Sequence, residues 1–299
     1  MAEAGEINKS IVGPVFDSHC HLDFIFERYK IPAQKFSLSK TMMKSRVRPY
    51  NFEGCISNFI HPSSWFEDGK DESFSIILDK AVAHNKVFVT LGCHPHWSDL
   101  WTEAMDTTLR GHVDNTSGFC NKVVAIGETG LDYSKNNKIY NRTLQETAFK
   151  AQIKIALDYQ VPLVLHIRSA EDEGLSVLEQ CAVPKTFPMH RHCFTGTPAQ
   201  ADYWLGQYPN SCLGLTGLIT MKGRRSDEAR ELAAKIPLDR LLIETDAPHF
   251  KPPGVVGKCA YPTDALAVAK QIAKIKQIPL PEVLNQNVEN VKRTYQICF

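Results

Sequence analysis

VVAIGETGLD (residues 123–132), a helical pattern over 141–158 and PLVLHIR (162–168) form the stretch on which the fold turns. Two short apolar runs flank a segment in which Leu144, Ala148, Ala151, Ile155 and Tyr159 recur at helical spacing, the pattern of a strand, a crossover helix and a second, parallel strand. The unit repeats outward in both directions. Upstream lie VFDSHCHLD (15–23), GCISNFI (54–60) and VFVTLGCHP (87–95); downstream lie MHRHCFTG (189–196), SCLGLTGLIT (211–220) and LLIETDAP (241–248). Further helical patterns cover 226–235, 262–277 and 280–297, the last with Pro281 near its start. Eight such runs predict an α/β fold, a single (β/α)₈ TIM barrel, over an open doubly wound sheet. The weakly patterned segment 24–52 reads as an inserted basic loop with partial helix in a single domain over 1–299, its barrel covering about 15–299.

Composition narrows the class. The 299 residues include 34 Lys+Arg against 33 Asp+Glu, and 43% are hydrophobic, which excludes a disordered or collagen-like chain. No apolar run is long enough to span a bilayer, so no membrane partner is expected. Nine cysteines without a C-x-x-C pair suit reduced thiols and an intracellular setting, cytoplasm or nucleus. A net charge of +1 gives no global attraction for nucleic acid, so a polyanion would need a local patch.

Chemistry concentrates where strands end, the face on which such barrels carry their sites. His19 and His21, two apart on a strand, point to one face while Cys20 packs on the other. Later strand ends add Glu128, His166, His192 and Asp246, donors that divalent Zn, Mn or Mg accept. Six ligands exceed one tetrahedral ion, so two divalent metal ions sharing a carboxylate is the economical arrangement. His190, on the same strand face as His192, reads as a deeper residue, and His96, Asp132, Tyr133 and His249 as rim positions.

DSHCHLD, GCHPH, GETGLDY, LHIR, HCFTG and ETDAP, in that order, resemble the TatD family of metal-dependent deoxyribonucleases. The resemblance runs from about residue 15 to the C-terminus, and the MHRHCFTG form and the ETDAPHFKPP tail are similar to animal members more than bacterial ones. It implies a distorted barrel of the metal-dependent hydrolase type and hydrolysis of phosphodiesters from the 3′ end of single-stranded DNA, with RNA a further substrate. It also implies that His19, His21, Glu128 and Asp246 hold one ion and Glu128, His166 and His192 the other. His94 would then lie near the scissile phosphate, with Asp246 as base, so that Asp246, His94 and Glu128 carry catalysis. Where bacterial members have Asn-x-Pro, this chain has Ala260-Tyr261-Pro262.

Charge along the presumed mouth supports a nucleic acid partner. Between Tyr29 and Phe52 there is no acidic residue, and Arg28, Lys30, Lys35, Lys40, Lys44, Arg46 and Arg48 follow the first strand. Arg168, Lys222, Arg224, Arg225, Lys251 and Lys258 follow later strands. Of these, Lys44, Arg46, Arg48, Arg168, Lys222, Arg224 and Arg225 are the expected nucleic-acid contacts. Phe24, Phe26, Trp65, Phe66 and Trp97 are candidates to stack bases, although aromatics there more often pack. A dinuclear amidohydrolase acting on a small C–N or lactone substrate is the competing reading, disfavoured by a glutamate in the bridging position and by the basic mouth. A catalytically silent nucleic-acid-binding module is a third, disfavoured because every expected ligand is present. The sequence points to no particular protein partner.

Overall fold

The computed structural model describes residues 13–42, 51–66, 71–114, 121–134 and 141–299. Its eight strands lie in one sheet in chain order, each parallel to the next: β1 (Val15–Cys20), β2 (Phe52–Phe59), β3 (Val87–Leu91), β4 (Val123–Asp132), β5 (Leu163–Arg168), β6 (Met189–Arg191), β7 (Cys212–Leu215) and β8 (Leu241–Ile243). Helices α1 (Leu22–Glu27), α2 (Leu38–Met42), α3 (Glu72–Ala83), α4 (Glu103–Val113), α5 (Arg142–Tyr159), α6 (Glu171–Gln180), α7 (Pro198–Gln207) and α8 (Arg224–Lys235) lie between them, and α9 (Ala265–Lys276) and α10 (Leu280–Tyr295) follow β8. The described part of segment 24–52 carries partial helix: α1 starts at Leu22, two residues before the expected insertion, and a 3-10 turn, Ala33–Lys35, precedes α2. The Lys80 ammonium in α3 donates to the carbonyls of Ala33, Gln34 and Phe36 at 2.7 to 2.8 Å, which pins that turn against the helix.

The ring shuts between β8 and β1 just past the end of β8. The Asp246 amide donates to His19 O (2.9 Å), the His21 amide donates to Ala247 O (2.7 Å), and Cys20 bridges to Ala247. Below this, Asp17 accepts from the Thr245 amide (2.9 Å) and hydroxyl (2.6 Å), and the Ser18 hydroxyl donates to Ile243 O. Asp17 is therefore a clasp on the seam and not a ligand.

The interior changes character from one end of the barrel to the other. At the N-terminal end Phe16, Ile56, Val124, Val164 and Leu242 form an apolar plug capped by Phe299, whose ring stacks on Phe16 at 4.6 Å. Toward the other end β1, β4, β5, β6 and β8, with the residues just past them, carry His19, His21, Glu128, His166, His190, His192 and Glu244. An irregular register between Asp17 and Cys20 places both Phe16, in the plug, and His19, in the polar layer, on the inside although they are three apart. Cys20 is buried in the outer core and donates to Ile56 O, as its alternation with His19 and His21 predicts.

Helix α5 buries Ala148 and Ile155 of the expected stripe, but the buried face is rotated from it. Leu144 is 39% exposed, while Gln145, Phe149, Gln152, Ile153 and Ala156 face the sheet. Two glutamines take inward positions because they hold strand ends: Gln145 accepts from the Asp132 amide (2.9 Å) and Gln152 from the Cys93 amide (2.7 Å). Buried amides of this kind replace backbone partners that the sheet cannot supply.

Candidate metal centre and active site

Glu128 lies in the middle of the polar layer, 1% exposed, with one carboxylate oxygen toward each of two imidazole pairs. Its Oε1 is 2.9 Å from His19 Nε2 and 3.1 Å from His21 Nε2; its Oε2 is 2.9 Å from His192 Nε2 and 3.3 Å from His166 Nδ1. Asp246 Oδ1 completes the first group, 3.3 Å from His21 Nε2 and 3.9 Å from His19 Nε2. The backbone at Glu128 lies directly against β5. A Cβ on Gly127 would fall 2.5 Å from Val164 O and one on Gly130 would fall 2.0 Å from His166 O, so both positions, at φ +151° and +144°, admit only glycine. Asp246 has φ +52°, a left-handed conformation that costs about 1–3 kcal/mol and is held by the seam hydrogen bond to His19 O.

These donors fit divalent cations. The His21 Nδ1–H donates to Asn58 O at 2.9 Å, which fixes the tautomer and leaves Nε2 bare toward Glu128. The ring nitrogens face one another at 3.3 Å (His19 and His21) and 3.0 Å (His166 and His192). Nitrogens at about 2.05 Å from a tetrahedral ion sit roughly 3.3 Å apart, so such spacings belong to atoms converging on a common centre. Glu128 Oε1 is buried and makes no hydrogen bond despite its close neighbours, as expected of an oxygen aimed at a cation. Burial raises the Glu128 carboxyl, but the imidazoles of His192, His19 and His166 outweigh it and hold the group well below the usual carboxylate range. The Glu128 carboxylate is thereby anionic, the form a metal requires.

A second ring of side chains braces the first. His94 Nδ1 accepts the His96 amide (3.1 Å), so the remaining proton of the neutral ring sits on Nε2, 3.9 Å from Glu128 Oε2 and facing the cavity. Burial, reinforced by nearby His166, lowers His94 well below the ordinary imidazole value and keeps it neutral. Asp132, expected at the rim, lies deeper: its Oδ2 is 2.8 Å from His96 Nε2 and 3.5 Å from His166 Nε2. His190 lies beneath the ligands as expected, its Nδ1 2.6 Å from the Tyr295 hydroxyl and its Nε2 2.8 Å from Glu244 Oε2. Glu244 was not singled out from the sequence, although it precedes Asp246 by the same two-residue step that relates His190 to His192. Arg191, likewise missed, is buried beside His192.

Above the ligands opens a cavity of about 470 Å³ whose lining brings together His21, His94, Glu128, His166, His192 and Asp246. The lining includes Phe24, stacked on His21 with ring centroids 5.0 Å apart, and Trp97, edge-on to Phe24 at 6.3 Å, together with Arg168, Arg225 and Phe250. His96 and His249 also line it. Phe26, Trp65 and Phe66 do not, since all three are packed in the core.

The expected basic contacts divide in the same way. Arg168 and Arg225 line the cavity, whereas Arg224 pairs with Glu228 (2.9 Å) and Lys222 is exposed outside the lining. Lys251 donates to Gly257 O and Lys258 to Arg28 O. Arg28, Lys30, Lys35 and Lys40 contribute nothing to the lining, and the segment bearing them packs toward α3. Lys44, Arg46 and Arg48 lie outside the described residues. At the Ala260-Tyr261-Pro262 position Ala260 is buried, and the Tyr261 hydroxyl meets that of Tyr29 at 2.8 Å, tying the loop after β8 to the segment after α1. Among the described residues no helix is long and apolar enough to cross a membrane.

Comparison with known proteins gives a family and a fold. Residues 16–296 match the family model described as TatD related DNase. The human protein named 3′-5′ RNA nuclease TATDN2 is 32% identical over 288 residues, covering 94% of this chain and 35% of that protein. The protein named 3′-5′ ssDNA/RNA exonuclease TatD from Pantoea sp. (strain At-9b) is 39% identical over 163 residues, 54% of this chain and 58% of that one. The chain thus spans less than two thirds of the length of either relative. Among solved structures, the TatD homologue YJJV from Escherichia coli K12 superposes with a TM-score of 0.76 over 95% of this chain and 98% of that one, at 24% identity.

Proposed function

The chain belongs to the TatD related DNase family, and from that premise we propose that it is a divalent-metal-dependent nuclease, a single hydrolase domain removing nucleotides from the 3′ end of single-stranded DNA and also acting on RNA. The observation that carries this reading is Glu128 set between two imidazole pairs, beneath a cavity with Arg168 and Arg225 in its wall.

His19, His21, Glu128 and Asp246 would hold one Mg, Mn or Zn ion, and Glu128, His166 and His192 a second. When bound, such a pair supplies Lewis acidity toward the phosphate and the attacking water. The residues do the rest. Asp246 has its Oδ1 toward His21, which leaves Oδ2 to take the proton of the attacking water. His94, neutral with its proton on Nε2, donates to a phosphoryl oxygen or to the departing oxygen. Arg168 and Arg225 supply positive charge for the backbone, and Phe24 with Trp97 an apolar face for a base. An intracellular setting, cytoplasm or nucleus, accords with the free thiols of all eight described cysteines.

Digestion of end-labelled single- and double-stranded DNA and RNA, with Mg, Mn or Zn and with EDTA, tests the proposal. Stepwise shortening from the 3′ end that EDTA abolishes is expected. Intact oligonucleotides beside cleavage of amides or lactones would assign the same centre to amidohydrolase chemistry.

A further inference from the structure

Arg191 is a charged residue on a strand where an apolar one is the rule, and its side chain is 3% exposed. Its Nη1 donates to the carbonyl of His192 at 3.0 Å. Its Nη2 donates to the carbonyl of Ile167 and to Glu171 Oε1, the latter at 2.9 Å. The Trp204 indole N–H donates to the other Glu171 oxygen at 2.8 Å, so the carboxylate is anchored from both sides. The guanidinium also lies over the rings of Phe194 and Trp204, 5.5 and 5.9 Å from their centroids.

The two carbonyls that meet this guanidinium are those of His192 itself and of the residue following His166. Paired residues of β5 and β6 end at Leu165 and Arg191, and the His192 amide makes a last bond to Leu165 O. Farther along, the guanidinium joins the two chains where the strand ladder no longer does. The separation it joins is the one that brings His166 Nδ1 and His192 Nε2 to 3.0 Å from each other and both within hydrogen-bonding range of Glu128 Oε2.

We propose that Arg191, held by Glu171, is a positioning residue for the ion site of His166, His192 and Glu128: it sets the spacing of the two imidazoles through their backbones. The inference rests on the metal reading of the site given above. A planar fork reaching two carbonyls and a carboxylate at once has no equivalent in lysine, which carries the same charge at a single point. Arg191→Lys therefore keeps the electrostatics and removes the geometry.

Metal uptake by the full chain, stripped with chelator and titrated with Co²⁺ by calorimetry and visible absorption, tests this without reference to turnover. Wild-type chain takes up two ions. In Arg191→Lys one ion binds within threefold of wild type while the other weakens tenfold or more, the usual scale for loss of an outer support to a ligand. Glu171→Gln leaves Arg191 in place and loosens its anchor, so it weakens the same ion less. It also keeps the question open to measurement should Arg191→Lys fail to fold. A general structural role would instead lower the melting temperature of the metal-free chain and weaken both ions alike, which would overturn the proposal. Two ions bound with wild-type affinity in both variants would overturn it while leaving the metal centre standing. Fewer than two ions in the wild-type chain would overturn both.

Discussion

His19 and His192 lie face to face, ring centroids 4.1 Å apart and planes within 8°, although one comes from the first strand and the other follows the sixth. Each points its Nε2 at a different oxygen of Glu128, 2.9 Å away in both cases. The carboxylate thus faces both halves of the proposed centre, one oxygen to each, and its charge is common to the two.

Glu128→Gln is the direct test of that sharing. An amide keeps the shape and one carbonyl oxygen but loses the anion and turns an N–H₂ donor toward one imidazole pair. Metal content should fall below two ions per chain, and turnover should fall to background, while the circular dichroism spectrum stays that of the wild type. Wild-type rate with two bound ions would refute the bridging role.

Asp246→Asn separates proton transfer from metal retention. Imidazoles and Glu128 remain, so at least one ion stays bound, and the rate should drop by about 10² or more, the usual contribution of a positioned base. Inductively coupled plasma analysis beside single-turnover kinetics reads both quantities from one preparation.

The two histidines of MHRHCFTG should respond in opposite ways. His192→Ala removes a donor facing Glu128 and should cost metal and activity. His190→Ala leaves every proposed ligand in place; the Tyr295 hydroxyl keeps Ser18 O and Glu244 Oε1 keeps the Cys193 amide, but the buried Glu244 Oε2 loses the His190 ring, and a buried polar group so orphaned costs about 1–3 kcal/mol. Urea denaturation should therefore show the loss for His190→Ala, with metal content preserved. Equal loss of metal in both variants would make His190 a ligand.

Arg168, at the end of β5, and Arg225, in the first turn of α8, line one cavity, and their joint replacement by methionine should reduce the salt dependence of single-strand binding. Each phosphate neutralised contributes about 0.7 to the slope of log K against log salt, so the double variant should lose roughly 1.4. Fluorescence anisotropy over a range of salt concentrations measures the slope. An unchanged slope would place the backbone track elsewhere, with Lys44, Arg46 and Arg48 the next residues to replace.

The barrel was legible because the strand runs end in residues no core requires. Four of the expected imidazoles meet around the Glu128 carboxylate, with Asp246 beside His19 and His21, and two-residue spacing on a strand converts directly into the shared face of that last pair. What stayed hidden has a common cause, polar side chains employed by the backbone. Gln145 and Gln152 displace the apparent stripe of α5 because they satisfy strand ends, and Arg191 occupies an outward strand position because two carbonyls need a donor. Hydrophobic periodicity is blind to such partners, which come from residues distant in sequence. The rim was read least well for a related reason. A lysine such as Lys258 following a strand reads as a mouth charge until its ammonium is found on the carbonyl of Arg28.

Ring closure ties the site to the order in which the chain is made. Two of the backbone bonds that shut the barrel belong to ligand residues, with the Asp246 amide on His19 O and the His21 amide on Ala247 O. The two histidines emerge first from the ribosome and Asp246 more than two hundred residues later. Until then the early histidines lie on a strand with an unclosed edge and lack the second of their two carboxylate partners. A nascent chain stalled before β8 is thus a fragment without a complete centre, and the chemistry becomes available only to a molecule whose barrel has already closed.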